Sequence, residues 1–188
     1  MIGERKIVLE LLKLYAVKVM PEGEAFTLSS GERSRYYVDV KRAAMRARCH
    51  LALASLLYNE LAEGSYGAVS CVAGVALGGC HLASITALYA SIYGKTSLDA
   101  VHVRKEPKGH GTKALVEGAA PGIGTVLLED VVTTGGSTLK AMQALRLAGH
   151  EVLGTLAVVD RRMSKPTQTI DGLPFRALFD LSELLEDE

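Results

Sequence analysis

The sequence has no net charge, few cysteines and none of the common nucleotide-loop motifs. Its 21 Lys and Arg residues balance 21 Asp and Glu residues, which argues against a protein that coats nucleic acid and against an acidic solvating tail. Of the 188 residues, 48% are hydrophobic and 22% are charged, enough for one sizeable core. A domain typically has about 100–200 residues, so the chain is predicted to be a single ordered domain.

The three cysteines, Cys49, Cys71 and Cys80, form no CxxC pair. An odd number without this spacing argues against a disulfide framework or a zinc site and predicts reduced, buried thiols. Glu10 and Lys13 interrupt the apolar stretch near the N-terminus, which is untypical of a signal peptide. We therefore expect a cytoplasmic location.

Residues 64–93 contain no Asp, Glu, Lys or Arg. Such a stretch is long enough to span a bilayer, but its five glycines favour a strand at 68–73, a glycine-rich turn and a helix at 80–93. A strand buried on both faces of an α/β sheet must be uncharged. We therefore expect no membrane association.

Other site motifs are also missing. No GxGxxG follows a predicted strand, and Cys80 and His81 stand where Walker A needs Lys and Ser or Thr. The sequence shows no Ser/His/Asp or Cys/His arrangement typical of nucleophilic catalysis. Three histidines lack metal-ligand spacing to one another and are interpreted as structural or exposed: His50, His81 and His150.

Alternating strands and helices are the main pattern that is present. The hydrophobic periodicity predicts helices at 4–19, 45–61, 80–93 and 137–148, and strands at 26–28, 36–40, 68–73, 99–104, 124–129, 152–160 and 175–179. This order predicts an α/β fold with a parallel β-sheet flanked by helices. Ligands of such sheets bind at the carboxyl ends of the strands.

The most informative segment joins a predicted strand, an acidic pair and a Thr/Gly-rich turn before a helix. It is Val126-Leu127-Leu128-Glu129-Asp130-Val131-Val132-Thr133-Thr134-Gly135-Gly136-Ser137-Thr138. Glycines and a helix N-terminus favour a bound phosphate, whereas adjacent carboxylates suit sugar hydroxyls, a cation or developing positive charge. The alternative is an acidic strand end before an N-capped helix.

This segment resembles the 5-phosphoribosyl 1-diphosphate motif of the type I phosphoribosyltransferases. The resemblance implies that Glu129 and Asp130 lie against the ribose hydroxyls and act in catalysis. It also implies that the turn binds the 5′-phosphate through residues among Val131, Val132, Thr133, Thr134, Gly135, Gly136 and Ser137.

A basic loop follows the predicted strand 99–104. Residues 104–113 contain four basic residues and one acid, which suits either a mobile lid over a polyanion or a solvated loop. The loop resembles the mobile loop of the orotate phosphoribosyltransferases. The resemblance implies diphosphate contacts by Arg104, Lys105, Lys108 and His110, with Lys108 catalytic, and a homodimer in which the loop acts in the neighbouring subunit's site.

A glycine-rich loop, residues 74–79, follows another predicted strand. Its glycines permit either close approach to a ligand or a tight turn packed under a helix. In the family this is the diphosphate loop, and many bacterial relatives carry a lysine there, which this chain lacks. Any contact from this loop is therefore expected from backbone groups.

Residues 26–41 resemble the N-terminal hood motif of the orotate phosphoribosyltransferases. Some relatives have a lysine in place of Ser29, so that cationic contact is lost here.

Tyr37 is a candidate to pack on the pyrimidine ring, or alternatively a core tyrosine. The family places an arginine, here Arg161, on the orotate carboxylate, with Thr133 near the orotate; the adjacent Arg162 competes for this assignment.

Together, the resemblance implies an enzyme that converts orotate and 5-phosphoribosyl 1-diphosphate to orotidine 5′-monophosphate and diphosphate. Mg²⁺ is expected to bind mainly through the diphosphate. The single domain is expected to have a hood at about 1–43 plus a C-terminal segment, and a core at about 44–162. The alternatives are a non-enzymatic sensor of 5-phosphoribosyl 1-diphosphate and an enzyme of this fold acting on another base.

Overall fold

The computed structural model describes residues 2–27, 31, 33–106, 114–121, 124–162 and 168–186. Its helices are α1 (Ile2–Tyr15), α2 (Lys41–Ala44), α3 (Ala47–Glu63), α4 (Gly78–Tyr93), α5 (Gly136–Leu147) and α6 (Leu181–Leu185). Its strands are β1 (Val17–Val19), β2 (Phe26–Thr27), β3 (Arg33–Ser34), β4 (Tyr36–Val38), β5 (Cys71–Val75), β6 (Asp99–Val103), β7 (Val116–Gly118), β8 (Gly124–Val132), β9 (Glu151–Asp160), β10 (Thr169–Ile170) and β11 (Leu173–Asp180).

A seven-stranded sheet in the order β10-β11-β9-β8-β5-β6-β7 forms the centre of the fold. The five inner strands run parallel, and β10 and β7 pair antiparallel at the two edges. Helices cover both faces of this sheet, since α4 contacts β5, β6 and β8 whereas α5 contacts β8 and β9. The predicted α/β fold is confirmed.

The central strands are apolar on both faces because each face supports a separate layer of core. On β8, Val126 and Leu128 pack in the layer that includes α1, α3 and α4. Leu127 points the other way and packs with Met142 and Leu145 of α5. Full burial of each such side chain contributes roughly 1.5–3 kcal/mol. β5, which lies in the uncharged run at 64–93, is likewise buried on both faces, with Val72 in the first layer and Ala73 in the second.

Two small antiparallel ribbons lie within residues 17–38, the segment that we call the hood. β1 pairs with β4, and β2 pairs with β3. The predicted helix 4–19 was too long, because α1 ends at Tyr15 and residues 17–19 pair with Tyr36–Val38 instead. An apolar stripe along one segment cannot reveal that a distant strand competes for its last residues.

The C-terminal residues contact both the core sheet and the N-terminal helix. β11 runs parallel to β9, with Phe175 opposite Thr155 and Phe179 opposite Val159, so it extends the core sheet. The following helix, α6, packs against α1, where Arg5 and Glu183 form an ion pair of 2.6 Å.

Several strands begin or end at residues other than those predicted. The strand expected at 68–73 is Cys71–Val75, and β8 continues past the acidic pair to Val132 because Val131 pairs with Val159 of β9. The short edge strand β7 lies in a stretch that was predicted as loop. No helix among the described residues is long and apolar enough to cross a membrane.

Candidate functional site

Four parallel strands end at one edge of the sheet and bring the predicted site segments together. β5 leads into the glycine-rich loop, β6 into the basic loop, β8 into the turn before α5, and β9 into Arg161. The carboxyl ends of parallel strands are where ligands of open α/β sheets bind. The hood reaches the same edge, because the Arg161 guanidinium donates to the Tyr36 carbonyl oxygen at 3.0 Å.

Glu129 is held inside the strand end rather than extended into solvent. Only 4% of the residue is exposed, and the Thr138 hydroxyl donates a hydrogen bond of 2.9 Å to its Oε1. Burial raises the pKa of Glu129 to about 7, although the Thr138 hydrogen bond acts in the opposite direction. The carboxyl group therefore titrates near neutral pH.

Asp130 is the more accessible acid and is held from three sides. Its Oδ1 accepts a hydrogen bond of 2.9 Å from the Val131 N–H, and its Oδ2 lies 3.5 Å from the Lys41 ammonium. A Cβ atom at Gly78 would overlap the Asp130 carboxylate. About one fifth of the Asp130 side chain (21%) is exposed, so it can reach a ligand at the strand end.

The turn between β8 and α5 has the geometry of an anion site. Gly135 adopts a φ of +77°, a left-handed conformation that favours glycine. Thr134, Gly136 and Ser137 are exposed where the first N–H groups of α5 have no partner within the helix. The predicted phosphate turn thus presents N–H groups, hydroxyls and the positive end of the helix dipole.

The two arginines after β9 have different environments. Arg162 donates to both Asp160 carboxylate oxygens, at 3.0 and 2.8 Å, and its guanidinium stacks on the Phe175 ring at 3.9 Å. Arg161 instead reaches the hood, where it also donates to the Ser34 hydroxyl at 3.3 Å. Arg162 is therefore held in a structural ion pair, which leaves Arg161 as the arginine that faces the hood.

Tyr37 lies on the hood surface, so the alternative of a core tyrosine is wrong. The residue is 38% exposed, and its ring lies 5.5 Å from that of Phe26, tilted by 42°. Its neighbour Val38 points inward and is buried, as expected for alternating residues of a strand. The proposed contact of Tyr37 with a pyrimidine ring stays a prediction.

Close packing requires glycines in the glycine-rich loop at residues 74–79. A Cβ atom at Gly74 would overlap the backbone of Gly79, and one at Gly79 would overlap the carbonyl oxygen of Leu128. Leu77, at 78% exposure, is the large side chain that this loop presents to solvent. A backbone contact between this loop and diphosphate stays a prediction.

The described part of the basic loop begins at the end of β6. Arg104 pairs with Glu117 of the neighbouring β7 at 3.2 Å, and Lys105 is exposed and close enough to favour ionisation of Glu129. Lys108 and His110 lie outside the described residues, so their predicted roles stay predictions.

The sequence did not indicate three residues that contribute to this site. Lys41 reaches Asp130 from 89 positions away in the chain, and Asp39 fixes Lys41 at 2.7 Å. Thr138 was part of the quoted motif, but nothing in its spacing indicated the bond to Glu129. Within the described ranges, no three His, Cys, Asp or Glu side chains form a cluster that could hold a metal ion.

A comparison with protein-family models finds no match. The chain is, however, 40% identical to the orotate phosphoribosyltransferase of Aquifex aeolicus over 97% of this chain and 98% of that protein. It is 41% identical to the Synechocystis orotate phosphoribosyltransferase over 93% of this chain and 86% of that protein.

Solved structures give the same result. The Mycobacterium tuberculosis orotate phosphoribosyltransferase in complex with 5-phospho-alpha-D-ribosyl 1-diphosphate matches with a TM-score of 0.73 and 30% identity, over 96% of this chain and 98% of that one. The Aeropyrum pernix orotate phosphoribosyltransferase matches with a TM-score of 0.74 and 32% identity, over 95% and 96%.

Proposed function

The chain belongs to the orotate phosphoribosyltransferase family, and from this premise we propose how its site residues divide the work. The enzyme is a pentosyltransferase of pyrimidine biosynthesis. It transfers the 5-phosphoribosyl group from 5-phosphoribosyl 1-diphosphate to orotate, which gives orotidine 5′-monophosphate and diphosphate.

One observation carries the assignment of roles: an acidic pair, an anion-binding turn and a hood-facing arginine lie at the same sheet edge. The turn at residues 133–137 binds the 5′-phosphate, and Glu129 and Asp130 accept hydrogen bonds from the ribose hydroxyls. Arg161 binds the orotate carboxylate, for which a planar guanidinium is suited. Thr133 and Tyr37 complete the orotate side.

Displacement at the anomeric carbon passes through a state in which positive charge develops on the ribose ring. Glu129 and Asp130 stabilise this charge because their carboxylates are fixed in place before the reaction. Arg104, Lys105, Lys108 and His110 oppose the negative charge that leaves with diphosphate. Closure of the basic loop excludes water, which would otherwise compete with orotate.

The residues present fit Mg²⁺ only as an ion whose ligands come mainly from the substrate. Asp130 already accepts a backbone N–H and faces Lys41, and Mg²⁺ usually combines few carboxylates with phosphate oxygens and water. When bound with the diphosphate, Mg²⁺ neutralises and orients the leaving group.

We place the contact of a homodimer on the exposed face of α4 and the beginning of α3. Four large apolar side chains are exposed on these helices and on the segment before α3: Met45, Leu51, Leu88 and Ile92. The same face adjoins β6, since Ser84 Oγ and His102 Nε2 are 3.1 Å apart, and β6 leads directly into the basic loop. A second copy on this face would receive that loop. Sedimentation velocity of wild type and Leu88→Glu tests this contact.

The free cysteines support a cytoplasmic location. We also propose that residues 1–188 form a single phosphoribosyltransferase domain, with a hood at about 1–43 plus a C-terminal segment and a core at about 44–162.

The function is tested by orotate consumption with 5-phosphoribosyl 1-diphosphate and Mg²⁺, with uracil, adenine and hypoxanthine in parallel. We expect loss of orotate and release of diphosphate, and no comparable reaction of the other bases. Turnover of another base would instead favour an enzyme of different specificity. Binding of 5-phosphoribosyl 1-diphosphate without any turnover would favour a sensor.

A further inference from the structure

Lys41 joins the hood to the catalytic edge of the sheet. It is the first residue of α2, immediately after the hood strand β4. Its ammonium lies 2.7 Å from Asp39 Oδ1 on the hood side and 3.5 Å from Asp130 Oδ2 at the end of β8. One cation thus lies between two carboxylates that belong to different parts of the molecule.

Two contacts other than Lys41 also restrict the Asp130 carboxylate. The Val131 N–H holds one carboxylate oxygen, and the close approach of Gly78 limits the space beside the group. The second oxygen, Oδ2, is the one that faces Lys41. The ammonium is thus the contact to this second oxygen, and Asp39 in turn contacts the ammonium.

We propose that Lys41 is a positioning residue that orients the Asp130 carboxylate toward the ribose hydroxyls and ties that orientation to the hood. The inference rests on the proposed role of Asp130 in the site. Lys41 acts through Asp130, and Asp39 acts through Lys41. The hood that carries the orotate side is thereby linked to the carboxylate on the ribose side.

A purely electrostatic role of Lys41 and a positioning role predict opposite effects of removing Asp39. Removal of the Lys41 charge weakens binding of a polyanion by simple electrostatics as well as by misplacing Asp130. Removal of the Asp39 charge, in contrast, would strengthen polyanion binding by electrostatics. If Asp39 serves to hold Lys41, its removal must weaken binding, so the sign for Asp39→Ala separates the two explanations.

The experiment measures the Kd of 5-phosphoribosyl 1-diphosphate with Mg²⁺ and without orotate, by isothermal titration calorimetry. We expect Lys41→Met to raise this Kd about tenfold, the range typical for coupled groups in one network, and Lys41→Arg to restore most of the affinity. Asp39→Ala should raise the Kd about threefold by the same coupling. Arg42→Met, which removes an exposed charge from the same helix, is the matched control for the loss of one positive charge.

A double-mutant cycle tests whether Lys41 acts through Asp130. In an Asp130→Asn background, Lys41→Met should change the Kd less than about twofold, because the group that it orients is already altered. Equal effects in both backgrounds, or tighter binding by Asp39→Ala, would overturn the inference. Circular dichroism checks folding, and if Lys41→Met does not fold, the sign for Asp39→Ala decides.

Wild-type behaviour separates this inference from the proposed function. If wild type does not bind 5-phosphoribosyl 1-diphosphate, the proposed function fails. If wild type binds it and Lys41→Met binds equally well, only the role of Lys41 is rejected.

Discussion

The Thr138 hydroxyl donates a hydrogen bond of 2.9 Å to the Glu129 carboxylate across the junction of β8 and α5. Both residues are buried, so the bond is shielded from solvent. It joins the carboxyl group near the end of β8 to the first turn of the helix that follows the Thr/Gly-rich turn. The burial of Glu129 and its hydrogen bond to Thr138 each lead to a measurable prediction.

The first prediction concerns how the thermal stability of the protein depends on pH. The pKa of Glu129 is about 7 in the folded protein against an ordinary 4.5. Between these values the folded chain binds more protons than the unfolded chain, so this group makes stability fall as pH rises. The full shift corresponds to about 3 kcal/mol. Glu129→Gln should therefore raise Tm relative to wild type at pH 8, by roughly 5 °C or more, and much less at pH 5.

Thermal unfolding followed by circular dichroism at both pH values checks this expectation. Glu151→Gln, at an exposed position of β9, is the control and should leave the pH profile of Tm unchanged. An equal Tm difference at pH 5 and pH 8 would contradict the assignment.

The second prediction concerns the pH dependence of activity and tests the Thr138 hydrogen bond. Thr138→Val removes the donor that favours the charged carboxylate, so the pKa of Glu129 should rise further. Because the ionised form is the one proposed to stabilise the ribose charge, the acid limb of kcat/KM for 5-phosphoribosyl 1-diphosphate should move to higher pH. Thr138→Ser keeps a hydroxyl and should keep the wild-type limb. A limb that stays in place in Thr138→Val would argue against a role for ionised Glu129.

The adjacent arginines should separate binding from stability. Arg161→Met should raise the KM for orotate at least about tenfold, the scale of losing a charge-assisted contact, with a smaller fall in Tm than Arg162→Met. Arg162→Met leaves Asp160 buried without its cation, which costs on the order of 3 kcal/mol and lowers Tm. Steady-state kinetics and thermal unfolding of both variants check this, and equal effects on orotate KM would refute the distinction.

Gly78 should not tolerate even a methyl group. In Gly78→Ala the new Cβ atom would overlap the Asp130 carboxylate, so either the loop or the acid must move. We expect the KM for 5-phosphoribosyl 1-diphosphate to rise at least about tenfold, since misplaced catalytic groups typically cost this much or more. Gly3→Ala, where a Cβ atom meets open space, is the control, and an unchanged KM in Gly78→Ala would show that Asp130 need not be held there.

Lys108 is predicted to act in turnover more than in binding. Lys108→Ala should lower kcat by roughly 10²-fold or more, as is typical when a group that opposes developing charge is removed, with a much smaller change in the Kd of 5-phosphoribosyl 1-diphosphate. Lys140→Ala, at an exposed position on α5, provides the matched control. Unchanged kcat in Lys108→Ala would reject the catalytic role.

The fold class and the main motif could be predicted because their signals are local. An uncharged run and alternating periods indicate buried strands between helices, and the acidic pair next to the Thr/Gly-rich turn lies within one segment. Strand boundaries were less predictable. β8 extends past Asp130 because β9 offers partners for Val131 and Val132, which no property of the segment itself specifies.

The sequence alone therefore indicates which groups lie near the strand ends: an acidic pair in one strand, a Thr/Gly-rich turn before α5, and two arginines after another strand. Which of these groups meet depends on the tertiary structure. It placed Arg161 toward the hood and Arg162 on Asp160, and it brought Lys41 to Asp130. The physical reason is that such contacts depend on the packing of segments far apart in the chain, whereas periodicity and motif spacing report only on neighbours along it.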